Sequence, residues 1–243
     1  MTMDAENHRP VGWLAGALVG ALFLLLPAIL PAAESVSPEV QFCLNCHSNK
    51  TLELVLKSGE KRSLYVDVDS FARSVHGDKL RCTDCHGDIS TFPHPTRSFK
   101  NLREFTLAYY ENCKGCHFDN YTKSLDGVHY AILSKGDLRA PLCVDCHGAH
   151  AVARPGVPKS RISKTCSRCH QEVYRQYAGS VHGKVLLQDG NVDAPVCADC
   201  HRSHDIVDPR TASFRLRTPE LCARCHTDEK LMKKYGLSTK VLQ

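Results

Sequence analysis

The densest run of apolar positions lies at the N-terminus. Every residue from Val11 to Leu26 is apolar or small, and Pro27, Pro31 and the pair Ala32-Ala33 follow. Residues 1–33 therefore read as a targeting segment. The prolines and small residues before Glu34 favour the cleavage region of a signal peptide. The stretch 11–33 is also long enough to serve as an N-terminal membrane anchor. The residues ahead of it, Asp4, Glu6 and Arg9, give little positive-inside signal. Nothing after residue 34 has the apolar length to span a bilayer.

Beyond the leader, apolar positions come in short stretches. Residues 52–56 and 64–68 alternate or run apolar around Ser58-Gly59-Glu60-Lys61, which predicts a β-hairpin. Asp69 is placed to cap a short helix carrying Phe71 and His76. Residues 102–117, 172–182 and 220–234 predict short helices, and 152–159, with Pro155 and Pro158, predicts a connector. The expected fold class is mainly α with low regular secondary structure and one N-terminal hairpin.

The cysteines change this picture. All fourteen fall into seven Cys-x-x-Cys-His motifs. In chain order these are Cys43, Cys46 and His47; Cys82, Cys85 and His86; Cys113, Cys116 and His117; Cys143, Cys146 and His147; Cys166, Cys169 and His170; Cys197, Cys200 and His201; and Cys222, Cys225 and His226. This is the attachment signature of haem c, in which two thiols add to the vinyl groups and the adjacent His becomes the proximal iron ligand. Structural zinc uses Cys pairs two per metal, or one with a His pair. Seven pairs do not divide into such sites, and zinc needs no His directly after each pair. A disulfide framework suits an exported chain but leaves the seven histidines unexplained. The motifs thus imply seven covalently attached haems. Without the leader, 210 residues remain, or thirty per haem. So little chain cannot build a conventional core, so the haems themselves are expected to form it, with protein wrapped around a haem row. The low aromatic content of 7% agrees.

The chain 34–243 is also built from repeats. Each unit has a first motif, a Val-His, a second motif of the form Cys-x-Asp-Cys-His, and a further His. The units cover about 40–100, 110–155 and 163–210, and a partial unit covers 219–243. The Val-His elements carry His76, His129 and His182, which recur every 53 residues; the trailing positions carry His94, His150 and His204. These six account for every non-motif His except His8, which lies ahead of the apolar run. Six in register predict distal iron ligands, giving six-coordinate centres with no open site. His94 departs from the pattern, eight residues after His86 where its equivalents lie three after their motifs. One iron is left without a distal His. The truncated fourth unit is the first suspect, with Met232 as its only nearby soft ligand, although apolar packing suits Met232 better; the first haem is the other candidate. The repeated Asp84, Asp145 and Asp199 are expected to bond local backbone or a ligand imidazole.

The formal charge of +5 is no nucleic-acid footprint. The basic residues are scattered, as at Lys57 to Arg62 and Lys230 to Lys234, and read as solvated surface. Haem propionates and ferric centres would alter the net value.

At these residues the chain resembles the multihaem c-type cytochromes with doubled Cys-x-x-Cys-His motifs. The Val-His followed by Cys-x-x-Cys-His-x-x-His is similar to small periplasmic electron carriers of nitrite-reducing and metal-reducing bacteria. The stretch from Asp69 to Gly77 and the Tyr235-Gly236-Leu237-Ser238-Thr239 run look like a longer group associated with, or fused to, a membrane cytochrome b. The resemblance covers residues 40–240. It implies bis-His ligation at the six distal positions. It also implies a non-enzymatic relay, without catalytic residues, between a quinol-linked membrane donor (a cytochrome b or quinol dehydrogenase) and periplasmic cytochromes or other acceptors. The expected location is the periplasm or the periplasmic face of the inner membrane, with membrane association through residues 11–33 if they are retained. Similar chains continue past the Tyr-Gly-Leu-Ser-Thr stretch to another His-Gly and more motifs. The present sequence is then either a short form or a fragment whose missing His would serve the haem at His226. Two other functions remain: a reductase of a small oxyanion or nitrogen compound at one open haem, and a membrane-anchored quinol dehydrogenase subunit.

Overall fold

The structure is a computed structural model and describes residues 36–242. The targeting segment expected over 1–33, with its anchor stretch and His8, lies outside the described residues. Among the described residues no helix is long and apolar enough to cross a membrane.

The fold is mainly helical, with one two-stranded antiparallel sheet. Helix α1 (Pro38–His47) ends in the first motif, and Ser37 caps its N-terminus with Pro38 at the first helical position. The hairpin pairs β1 (Glu53–Val55) with β2 (Lys61–Ser63), Glu53 opposite Ser63. The second strand thus lies earlier than the predicted 64–68. The turn closes between Leu56 and Glu60, with Gly59 at φ 84°, and the chain leaves the sheet at Leu64. Asp67, rather than the expected Asp69, caps α2 (Val68–Ala72) by accepting from the Ser70 N–H at 2.7 Å. That helix ends before His76, which follows in turn structure.

The remaining helices are short. They are α3 (Cys82–Cys85), α4 (Leu102–Tyr110) with a 3-10 turn to Gly115, α5 (Phe118–Leu125), α6 (Val128–Leu133), α7 (Cys143–His147), α8 (Ser160–Cys166), α9 (Gln171–Gly179), α10 (Val181–Leu187), α11 (Cys197–His201), α12 (Ala212–His226) and α13 (Glu229–Lys234). The predicted helix at 172–182 is broken at Ser180, whose side chain caps α10 by accepting from the Gly183 N–H. The one predicted at 220–234 is two helices. Of these, α12 begins eight residues earlier than expected and carries Pro219 inside it. A mid-helix proline argues against helix, which is why the sequence pattern read as starting after it. The connector 152–159 is free of regular structure.

The second motif of each full unit folds alike. Asp84, Asp145 and Asp199 each accept from the backbone N–H three residues earlier, at Arg81, Leu142 and Val196, over 2.7–2.8 Å. This is half of a capping box, so these carboxylates serve local backbone. Ala140 and Leu142 in one unit, and Ala194 and Val196 in the next, are buried at matching positions. Units are joined by backbone in a fixed register: the Val75 N–H donates to Val152 and the Val128 N–H to Ile206, both at 2.8 Å. The third unit's equivalent, Val181, has no such partner among the described residues and is 77% exposed.

Candidate functional site

Buried hydrophobic residues are few, from Val40 to Met232, and none of the seven motifs is enclosed by a conventional core. Large apolar side chains beside the motifs face outward instead: Phe42 next to Cys43, Phe118 next to His117, Val181 next to His182. A cleft lined by Phe42, Cys43, Arg81, Cys82 and Phe92 opens between the first two motifs. This is the surface expected of a chain that leaves its apolar faces to a large flat group.

All fourteen cysteines are free thiols, so no pair is spent on a disulfide. The two thiols of a motif are unequally placed. In the first six motifs the leading cysteine is half-buried, at Cys43, Cys82, Cys113, Cys143, Cys166 and Cys197. The second is exposed, at Cys46, Cys85, Cys116, Cys146, Cys169 and Cys200. The seventh motif reverses this order, with Cys222 exposed and Cys225 half-buried. There the motif closes the fifteen-residue α12, as the first motif closes the ten-residue α1, while the fourth and sixth motifs fill short helices of their own. Spacing alone made the two cysteines of every motif equivalent attachment points. It gave no sign that Cys46 and Cys116 would stand open to solvent while Cys225 would be half-buried.

Among the described residues no group of three or more His, Cys, Asp or Glu side chains could hold a metal, which is the arrangement zinc needs. The structure instead brings imidazoles together in pairs. His47 faces His94 at 6.2 Å between ring centroids, His76 faces His117 at 6.0 Å, and His86 faces His150 at 6.1 Å. His129 faces His170 at 6.1 Å, His147 faces His204 at 6.1 Å, and His182 faces His226 at 6.0 Å. A metal–imidazole bond of about 2 Å on either side, with each centroid roughly 1.1 Å behind its nitrogen, places two trans imidazoles about 6 Å apart. The six separations fit one iron between each pair.

Protonation supports the fit. Burial, then the facing His86, pushes His150 down to about 4. Burial followed by the partner's charge also lowers His76, His129, His147 and His182, whose partners are His117, His170, His204 and His226. Such imidazoles are neutral at physiological pH, the form that ligates metals. The His47 Nδ1 lies 2.8 Å from the Leu64 carbonyl, the outer hydrogen bond that fixes a ligating ring. The Nδ1 atoms of His94 and His226 are buried without partners.

The pairing follows a rule that crosses the repeats. Each Val-His faces the first motif of the following unit. Each trailing His faces the second motif of the preceding unit. His94, with no unit before its own, turns back to the first motif, which accounts for its different spacing. All six predicted distal histidines therefore face a motif His. The odd one out differs from the first suspect: His226 has His182 opposite, and Met232, 4% exposed on α13, is packed in the interior. His47 likewise has its partner. His201 has none among the described residues; its ring lies parallel to Phe214, 5.1 Å between centroids. Intra-unit spacing pointed to His226 because the distal ligand was sought downstream of it, whereas its partner lies upstream. Phe214 and the arginines near it, Arg202, Arg217 and Arg224, were missed. One signal was present: Arg202 follows His201 where Gly87 and Gly148 follow His86 and His147.

The thiols give the order of the motifs in space. Burial, then the Cys43 thiol, pushes Cys82 up to about 11. The neighbouring Cys143 thiol lowers Cys113 to about 7, and the neighbouring Cys166 thiol lowers Cys197 to about 6. Between these pairs, the Asn112 amide donates to the Cys85 carbonyl at 2.5 Å, the Arg168 guanidinium donates to the Asp145 carbonyl at 2.8 Å, and Cys200 and Arg224 line one cleft. As thioethers these sulfurs would not titrate, but the adjacency remains: motifs one to seven neighbour one another in chain order, alternating between two kinds of contact.

Residues 137–227 match the family model described as Cytochrome c3. The match spans four of the seven motifs. It supports a multihaem c-type cytochrome with covalently bound haem c and a role in electron transfer. No curated protein and no solved structure matches the chain.

Proposed function

We propose that the chain is an exported heptahaem electron relay, carrying electrons between a quinol-linked membrane donor and periplasmic acceptors. The observation that carries the reading is the set of six imidazole pairs at 6.0–6.2 Å, each pairing a motif His with a histidine from elsewhere in the repeats. Haem c, when bound, supplies one-electron redox chemistry at each position. The chain's part is to fix the attachment thiols, present two neutral imidazoles, and hold successive motifs against each other.

Each element has a stated task. The seven cysteine pairs, from Cys43 with Cys46 to Cys222 with Cys225, attach the seven groups. His47, His86, His117, His147, His170, His201 and His226 ligate them. His76, His94, His129, His150, His182 and His204 complete six of the centres. Two imidazoles keep a centre low-spin and close it to substrate, so such a centre changes charge with little rearrangement. Adjacency in chain order supports a single row running from the Cys43 motif to the Cys222 motif. The donor is a membrane cytochrome b or quinol dehydrogenase, and the acceptors are periplasmic cytochromes.

The test is mass spectrometry and haem quantification on protein matured in a host that attaches haem c. Seven haems per chain, most of them low-spin by electron paramagnetic resonance, are expected. A substoichiometric count, or zinc in their place, overturns the reading.

A further inference from the structure

Backbone joins the distal histidines of neighbouring units. The Val128 N–H donates to the Ile206 carbonyl at 2.8 Å. Val128 directly precedes His129, which faces His170; Ile206 lies two residues after His204, which faces His147. One hydrogen bond thus links the segment opposite the fifth motif to the segment opposite the fourth. The seam between the first two units has the same register: the Val75 N–H donates to Val152 at 2.8 Å and links His76 to His150.

Gly127 is a second, independent observation. A Cβ there would meet the His204 carbonyl oxygen at 2.6 Å and the Ile206 nitrogen at 3.3 Å. Its φ is −83°, so no left-handed turn requires glycine; the close approach does. Gly127 also stands at the N-cap of α6, a position where serine, threonine, asparagine or aspartate would bond the first turn. The equivalent Ser180 caps α10 in this way, whereas α6 has no side-chain cap. The chain forgoes that bond where residues 204–206 pass. The motif side of the same two units is tied as well, by the Arg168 guanidinium on the Asp145 carbonyl at 2.8 Å.

We infer that Gly127 and the Val128 N–H are positioning groups for two iron centres at once. The seam they form holds His129 toward the iron of His170 and His204 toward the iron of His147, so breaking it weakens both distal ligands together. The inference rests on the haem reading above and adds that axial ligation is shared between units.

The experiment uses the fully matured chain, with haem counted in the parent first. A shortfall there sinks the haem reading and this inference with it, whereas seven haems with an unresponsive seam sink the inference alone. Val128→Pro removes the donor and little else: Val128 is the first residue of α6, where proline is accommodated, and the ψ of 153° before it suits a residue preceding proline. Gly127→Ala keeps the donor and wedges a methyl group against residues 204–206. Carbon monoxide is titrated into the reduced proteins, and spin state is read from the oxidised ones by electron paramagnetic resonance. A distal ligand released more often leaves its iron open more often, and carbon monoxide affinity rises with the open fraction. Val128→Pro should raise that affinity at two irons by roughly two- to tenfold over the parent, the worth of one hydrogen bond, and Gly127→Ala by at least as much. In the His129→Ala background, Val128→Pro should still act on the iron of His147. Gly179→Ala, where a Cβ meets nothing within 4 Å, should change nothing; a like effect there overturns the inference. Lower stability with unchanged carbon monoxide binding and spin state also overturns it, leaving the seam a structural contact, as does a response at one iron only. A variant that loads fewer haems is read by peptide mapping: loss confined to the Cys143 and Cys166 motifs supports the seam, and loss elsewhere overturns it.

Discussion

His129 lies 6.1 Å from His170 between ring centroids, and the two belong to different repeats. The Val-His of one unit therefore completes the first motif of the next. His129→Ala is expected to leave seven haems attached and to open the iron of His170, raising the carbon monoxide stoichiometry by one site per chain. Titration of the reduced variant beside the parent measures this. An unchanged spin state would mean the pairing is wrong.

The glycine after His182 is set by backbone, with no role in ligation. A Cβ at Gly183 would meet the Tyr177 carbonyl oxygen at 1.9 Å, whereas one at Gly179 meets nothing within 4 Å. Gly183→Ala should cost at least about 1–3 kcal/mol, as overpacking does, and Gly179→Ala should be neutral or stabilise by about 0.4–1 kcal/mol. Thermal or chemical unfolding of the two variants decides. Equal stabilities would show that α10 approaches α9 less closely than described.

Asp199 accepts from the Val196 N–H at 2.8 Å and pairs with Lys159 at 3.2 Å. Asp199→Ala should remove about 1 kcal/mol, the worth of a helix cap, which lowers Tm by roughly 2–4 °C in a chain of this size. Haem content should not change, because the carboxylate serves backbone. Loss of haem from the Cys197 motif in this variant would assign Asp199 to the cofactor instead.

Asp193 ties α13 to the segment after α10, accepting from Lys234 and Tyr235, each at 2.6 Å. The Lys234 ammonium, then the Tyr235 hydroxyl, holds its carboxyl below the ordinary 3.8. A depressed carboxyl contributes stability that is fully present above its unfolded value and lost as pH falls through its folded value. Asp193→Asn should therefore lower Tm at pH 7, and the gap to the parent should close as pH falls below about 4. Melting curves at several pH values would refute this if the gap were constant.

Much of the chemistry was legible in the sequence because it is written locally. Cys-x-x-Cys-His is a single turn of chain, and six of the seven other histidines announce themselves by register. Which imidazole faces which was hidden, since His182 on α10 and His226 at the end of α12 come together only in the folded chain. So was the register of the hairpin: a tight turn from Leu56 to Glu60 sets it, whereas the apolar pattern favoured the later Leu64 to Val68. Pro219 hid the first half of α12, and with it Phe214 and Arg217.

The cross-repeat pairing has a mechanical consequence. The spans from His47 to His94, His76 to His117, His86 to His150, His129 to His170, His147 to His204 and His182 to His226 overlap without a gap. With each pair bridged through iron as proposed, every peptide bond between residues 47 and 226 is enclosed by at least one coordinate staple. A protease that nicks this stretch once would leave two pieces still laced together, which part only when the irons lose their axial ligands.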